Sequence, residues 1–150
     1  GLALVSSDYE IVIIHDGVRP FVTRRIIVES IAKARKFGAC IVAVPVTDTI
    51  KMVNREGVIE RTLPREHLWR VQTPQTFQVS LIKKAYAKAL KDRFYGTDDA
   101  QLVERINRPV KVISGDYRNI KITTKEDLIL ANKLLSNNEI SLSPRGRGSG

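Results

Sequence analysis

Four short stretches of the chain hold residues able to do chemistry. In His15-Asp16-Gly17-Val18-Arg19-Pro20 a carboxylate and a guanidinium stand three positions apart, just after an apolar run. An aspartate there can hold a divalent cation or sugar hydroxyls, and an arginine can fork onto a phosphate. The same residues can also do no more than close a turn. His15 can polarise or ligate, although a lone histidine ending a strand is more often a structural hydrogen-bonder. In Gln72-Thr73-Pro74-Gln75-Thr76-Phe77 two glutamines and a proline predict a rigid polar turn, whose amides could read hydroxyls or order a backbone. Lys121, in the run Gly115 to Thr123, follows a turn and precedes a helix start. A lysine there can neutralise phosphate charge in an in-line transfer, or be an ordinary solvated side chain. In Thr97-Asp98-Asp99-Ala100, Thr97 and Asp98 read as helix caps rather than metal ligands.

The elements that must position these residues follow from periodicity. Glu10 to His15 is an apolar, β-branched run that predicts a strand buried on both faces. It ends at Asp16, and in open α/β sheets ligands sit outside the carboxyl ends of strands. Thr23 predicts an N-cap, Ile27, Ile31 and Ala34 recur at helical spacing, and Gly38 closes that helix. Ala39 to Val44 predicts a second buried strand, parallel to the first with a right-handed crossover. Thr49 to Val53 and Val58 to Leu63 form a hairpin pattern across Asn54-Arg55-Glu56-Gly57. Such an arm, covering about 45–66, has little core of its own and is expected to pack on something else, often a second subunit. A helix is predicted from Ser80 to Lys91, a short one after Thr97 with Leu102, Val103 and Ile106, and a strand from Val110 to Ile113. Thr124-Lys125-Glu126-Asp127 is a capping box opening a helix with Leu128, Ala131, Leu134 and Leu135 on one face. Residues 1–135 thus read as one α/β domain, and the polar, basic stretch 136–150 as a disordered tail.

Composition narrows the class. The chain has 150 residues, 43% hydrophobic and 27% charged, which excludes disorder for the bulk of its length. No apolar run nears the ~18 residues of a membrane span. One cysteine, Cys40, and two histidines exclude an intrachain disulfide and a Cys/His zinc site. No signal-peptide pattern is present, so a reducing cytosolic setting is expected. The net charge of +9 suits an anionic partner, either nucleic acid or phosphorylated small molecules. The basic residues are spread along the chain rather than gathered into a stripe with aromatics, which argues against a dedicated nucleic-acid surface.

Taken together and in order, the blocks His-Asp-Gly-Val-Arg-Pro-Phe, Val-Pro-Val-Thr-Asp-Thr-Ile-Lys, Leu-Trp-Arg-Val-Gln-Thr-Pro-Gln-Thr-Phe, Thr-Asp-Asp-Ala and Asn-Ile-Lys-Ile-Thr closely resemble the 2-C-methyl-D-erythritol 4-phosphate cytidylyltransferase family of the non-mevalonate isoprenoid pathway. The resemblance runs from Gly1 to about Leu135. It implies a Rossmann-like, GT-A-like nucleotidyltransferase domain with a protruding β-arm that interlocks with the arm of a second subunit. It implies transfer of CMP from CTP to methylerythritol phosphate with release of pyrophosphate, aided by Mg²⁺ or another divalent cation. Carried over by motif, Asp16, Gly17 and Arg19 would contact the methylerythritol phosphate, with Asp16 also a metal candidate. Thr49 and Arg65 would reach substrate from the partner subunit, Arg65 as a catalytic residue. Thr73, Thr97 and Thr123 would lie on the substrate side. Lys121 would be catalytic and bind nucleotide, orienting the attacking phosphate beside the α-phosphate. The location implied is cytoplasmic, or plastid in a plant or alga, with no membrane or nucleic-acid partner.

The resemblance has departures. Gly17 and Val18 replace the two small residues more usual in that block. The family's N-terminal strand and its Leu-Ala-Ala-Gly-x-Gly-x-Arg-Met type loop, whose amides cradle the CTP phosphates, have no counterpart among these residues. The 150 residues are therefore expected to hold the substrate half of an N-terminally truncated domain, to lack activity by themselves, and to leave a sheet edge open. Alternatives are a ribitol 5-phosphate cytidylyltransferase, whose family shares the Asp-x-Val-Arg-Pro-Phe and Gln-Thr-Pro-Gln blocks, a basic nucleic-acid-binding module, or a fragment that only dimerises through the arm.

Overall fold

A computed structural model describes residues 1–6 and 8–141, with side chains as far as residue 136. After a 3-10 turn at Leu2–Leu4, the elements are β1 (Ile11–Ile14), α1 (Arg24–Phe37), β2 (Ala39–Pro45), β3 (Lys51–Val53), β4 (Ile59–Thr62), a second 3-10 turn at Arg65–His67, β5 (Trp69–Gln78), α2 (Val79–Lys91), α3 (Asp99–Arg105), β6 (Lys111–Ser114) and α4 (Lys125–Ser141).

The main sheet has the order β1-β5-β2-β6, and β3-β4 forms a separate two-stranded arm. β2 is the hub: it pairs antiparallel with β5 and parallel with β6. Its alternate side chains feed two cores, which is why its sequence shows no polar alternation. Ala39 joins Phe77, Ile82, Ala85, Ala89, Leu102 and Val103 under α2 and α3. Cys40 and Val42 join Ile26, Ala34 and Ile113 under α1. Burial in that second core pushes the Cys40 thiol up to about 11, so it stays protonated and inert at neutral pH.

Two strand expectations are corrected. β1 and β2 run in the same direction but do not pair, because β5 lies between them, antiparallel to each. Nor is β1 buried on both faces. It stands at a sheet edge among the described residues, and Ile13 remains 39% exposed.

The Gln72–Phe77 block, expected as a turn, lies inside β5. A shift of register explains how polar residues and a proline fit there. Ile41 faces Gln75 and Val42 faces Gln72, so Thr73 and Pro74, joined by a cis peptide bond, bulge out between them. The missing proline N–H therefore costs no ladder bond with β2.

The helix caps follow the sequence closely, with one change. The Thr23 hydroxyl accepts from Ile26 N, and Gly38 closes α1 at φ +93. Asp98, rather than Thr97, caps α3 by accepting from Gln101 N. Thr124 and Asp127 exchange the reciprocal bonds of a capping box. α4 continues to Ser141, past Ser136 where the polar tail was expected to begin, and 142–150 lie outside the described residues. On α4 only Ala131 of the four expected face residues is buried, while Leu128 and Leu135 are exposed. The arm turns as expected: Asn54 Oδ1 accepts from Glu56 N and Val58 N, with Gly57 at φ +81. Its strand β4 is exposed at every residue. Among the described residues no helix is long and apolar enough to cross a membrane.

Candidate functional site

Three segments converge beyond the carboxyl end of β1. The chain leaving β1 turns at Asp16, the bulge of β5 supplies Thr73, and the loop after β6 supplies Asn119 and Lys121. The first and third are tied by Ile122 N donating to Val18 O (2.9 Å). The bulge is tied to the first by Asp16 N donating to the Thr73 hydroxyl (3.0 Å).

The key between loop and bulge is Asn119, which is fully buried. Its Nδ2 donates to Thr73 O (2.9 Å) and Gln72 Oε1 (3.3 Å), and its carbonyl accepts from Arg19 Nη1 (2.8 Å). Gln72 Nε2 in turn donates to Asp116 O (2.8 Å). On the other side of the bulge, Gln75 Nε2 donates to Asp98 Oδ2 (2.9 Å) while its Oε1 accepts from Ala100 N (3.0 Å), fixing the start of α3. Of the two uses foreseen for these glutamine amides, the structure has them ordering backbone. Asn119 itself was missed. Its polar type, short side chain and loop setting gave no signal that it would be buried.

Gly115 makes the close approach possible. A Cβ at that position would stand 2.4 Å from Gln72 Oε1 and 2.8 Å from Val42 Cγ1. Gly115→Ala must displace the amide that Asn119 holds, and a destabilisation of about 1–3 kcal/mol is expected. Urea unfolding checks this, and an unchanged midpoint would contradict the packing described.

Arg19 Nε donates to Asp16 Oδ2 at 3.0 Å, and Lys121 Nζ lies 3.4 Å from the same oxygen. Partial burial pushes the Asp16 carboxyl up. The Arg19 hydrogen bond and the Lys121 charge outweigh it and hold the group below its ordinary value of 3.8. A lowered carboxylate stabilises the fold fully above 3.8, and loses that contribution as the pH falls through its folded value. Asp16→Asn should therefore flatten the acid limb of a stability-against-pH profile below about pH 4. Wild type and variant profiles of equal slope there would count against the pairing.

The two cations differ in availability. The Arg19 side chain is 12% exposed and spends two donors on Asp16 and Asn119, whereas the Lys121 side chain is 47% exposed. Arg19 organises the site, and Lys121 presents its charge. With one carboxylate between them, the pair leaves a net positive cluster suited to a phosphate. A cavity of about 440 Å³ opens on this cluster, lined by Asp16, Arg19, Thr73, Thr97, Lys121 and their neighbours on β5 and α3.

Five of the residues foreseen for the site thus meet. Gly17 follows Asp16 in the turn, with no atom within 4 Å of a Cβ placed on it, so packing does not demand glycine there. Thr123 is turned to the capping box, its hydroxyl donating to Asp127 Oδ2 at 3.1 Å. Thr49 and Arg65 stand on the arm, outside this cavity, and Arg65 Nη1 donates to Thr47 O at 2.6 Å.

The donor set available to a metal is narrow. Among the described residues no group of three or more His, Cys, Asp or Glu side chains could hold one. Asp98 spends both carboxylate oxygens on Gln75 and Gln101, and Asp99 Oδ1 accepts from Tyr86. Asp16, whose Oδ2 pairs with Arg19 and Lys121, and the second oxygen of Asp99 are the carboxylate donors left on this cavity. This fits a magnesium-like ion that takes most of its ligands from phosphate oxygens and water, and does not fit an all-protein site.

Over residues 1–137 the chain matches the family described as 2-C-methyl-D-erythritol 4-phosphate cytidylyltransferase. The curated protein of that name from Syntrophus aciditrophicus is 52% identical over 139 residues, 93% of this chain and 59% of its own length. The one from Caldanaerobacter subterraneus is 52% identical over 135 residues, 90% of this chain and 60% of its own. Among solved structures, the 4-diphosphocytidyl-2C-methyl-D-erythritol synthase from Anaerococcus prevotii superimposes with a TM-score of 0.84 at 41% identity, covering 90% of this chain and 60% of that one. The chain spans about 60% of the length of the curated relatives it matches.

Proposed function

The chain belongs to the 2-C-methyl-D-erythritol 4-phosphate cytidylyltransferase family, and on that premise we propose that its cavity receives methylerythritol phosphate and that the protein carrying it transfers CMP from CTP to that phosphate. In this reaction a phosphate oxygen of the polyol attacks the α-phosphorus of CTP. A new P–O–P bond forms, the bond between the α- and β-phosphates breaks, and pyrophosphate leaves with the electron pair. No protein nucleophile is required, so the side chains have to align two anions and neutralise their charge.

The observation that carries the reading is the Asp16–Arg19–Lys121 cluster on a cavity whose other polar lining is the hydroxyls of Thr73 and Thr97, the amides of Gln72 and Gln75 and the carboxylates of Asp98 and Asp99. Lys121 is the group placed to hold the attacking phosphate against the α-phosphate. Arg19 holds Asp16 and the Asn119 loop in register, so that Lys121 is aimed before substrate arrives. Thr73 and Thr97 face the polyol. A divalent cation, with Asp16 as its protein ligand, would supply further screening of the triphosphate charge. Thr49 and Arg65, set apart on the arm, serve in this reading the cavity of a second copy in a homodimer. The partners are then CTP, the polyol phosphate and that copy, and the setting is cytoplasmic.

The test is pyrophosphate release from CTP by the protein carrying this sequence, with methylerythritol phosphate and ribitol 5-phosphate compared. Turnover with the first and at least tenfold less with the second is expected, since buried polar groups discriminate strongly among hydroxyl patterns. Preference for ribitol 5-phosphate would move the protein to the sister activity, and turnover with neither would end the reading.

A further inference from the structure

We infer that His15 fixes Thr73 as a hydrogen-bond acceptor toward the cavity, and so is a positioning residue that decides which group of the polyol phosphate can face Thr73. This rests on the reading of the cavity given above and adds a residue to it.

The argument is an inventory of protons. His15 Nε2 lies 3.1 Å from the Arg19 carbonyl, which can only accept, so that nitrogen carries a proton. In the neutral ring Nδ1 is then an acceptor. It lies 2.9 Å from the Thr73 hydroxyl, whose single proton it takes. Asp16 N donates to one lone pair of the same hydroxyl at 3.0 Å. Thr73 is left with one lone pair and no proton to give. Where it lines the cavity, it can accept from a substrate hydroxyl but cannot donate to a phosphate oxygen. Arg19 and Lys121, on the same cavity, are donors only. The cavity therefore takes a polyol phosphate with its phosphate toward Lys121 and a hydroxyl toward Thr73, and the Asp98 and Asp99 carboxylates that also line it favour hydroxyls over phosphate for the same reason. The relay also closes on itself. Its last acceptor is the carbonyl of Arg19, so the histidine that sets the polarity of Thr73 also holds the turn carrying the arginine.

Two measurements test this. The first is long-range proton–nitrogen NMR of the His15 ring in the unliganded protein. A proton on Nε2 and none on Nδ1 is expected, and a proton on Nδ1 overturns the inference whatever the enzyme does. The second uses methylerythritol phosphates with one hydroxyl at a time replaced by hydrogen or by fluorine, which cannot donate. At one hydroxyl, fluorine should raise KM about tenfold, as much as hydrogen does, with kcat little changed. In His15→Ala the Thr73 proton is released. The fluorine penalty at that hydroxyl should then fall at least threefold while the hydrogen penalty persists. His15→Asn restores an acceptor and should restore the fluorine penalty, which a merely structural role would not do. Fluoro analogues that bind as well as the parent at every hydroxyl would overturn the inference while leaving the activity intact. If the parent compound is not turned over, the functional reading fails and the NMR result alone decides the inference.

Discussion

Lys121→Ala is expected to lower turnover of CTP with methylerythritol phosphate about a thousandfold, with a smaller rise in KM for the polyol phosphate. The reasoning is electrostatic. Bringing a phosphate oxygen onto a triphosphate concentrates negative charge at the reacting phosphorus, and a preorganised cation there acts mainly on the transition state. Of the two cations beside Asp16, Lys121 is the exposed one and is not needed to hold the loops together. The variant should therefore fold normally, and Asp16 should move back toward its ordinary value as one of its two cationic partners disappears. Stopped-time assays of pyrophosphate give the rate, and urea unfolding confirms the fold. Arg19→Ala is expected to behave differently. It removes the donor that binds both Asp16 and the Asn119 carbonyl, so stability and activity should fall together.

The second large effect concerns the arm. Arg65→Ala is expected to cost about a hundredfold in turnover, even though Arg65 lies outside the cavity of its own chain. Among the described residues β3 and β4 pair only with each other, and Val53, Val58 and Ile59 of the arm are each more than half exposed. A two-stranded ribbon with that surface is marginal alone and gains from a partner. If Arg65 serves a neighbouring copy, inactive Lys121→Ala and Arg65→Ala chains should complement each other. After subunit exchange about half of the dimers are mixed, and each mixed dimer has one cavity with both cations intact. About a quarter of wild-type activity should then return. No recovery on mixing, with exchange verified by mass-tagged subunits, would place Arg65 in its own chain's chemistry or in none.

The elements were legible in the sequence where local physics decides them. Thr23 and Gly38 bound α1, and Thr124 with Asp127 opens α4, because caps satisfy backbone groups within one turn of the chain. The neighbours of strands were not legible. Ile11 to Ile14 reads as buried because it is apolar, yet among the described residues it stands at an edge, and nothing in its own sequence encodes that β5 separates it from β2. The Gln72–Phe77 block misled for a related reason. Glutamine, threonine and proline read as turn residues when each is judged alone. Here Gln72 and Gln75 are 3% exposed and fully engaged by Asn119, Asp116, Asp98 and Ala100, which lie 23 to 47 positions away. Polar burial is affordable only when such partners exist, and only the fold supplies them. For the candidate site, Asp16, Arg19, Thr73, Thr97 and Lys121 stand out in the sequence and share a cavity, whereas the buried Asn119 that ties the loop to the bulge does not stand out. Thr123 matched a motif, but its hydroxyl is turned to Asp127.

The central claim is that the cations around Asp16 hold a phosphorylated polyol. The direct measurement is calorimetric titration of the protein carrying this sequence, and of its Arg19→Ala/Lys121→Ala double variant, with methylerythritol phosphate and with methylerythritol lacking the phosphate. Binding that requires the phosphate and weakens at least a hundredfold in the double variant is predicted. Equal affinity for the two compounds, or an unchanged affinity once both cations are gone, would contradict it.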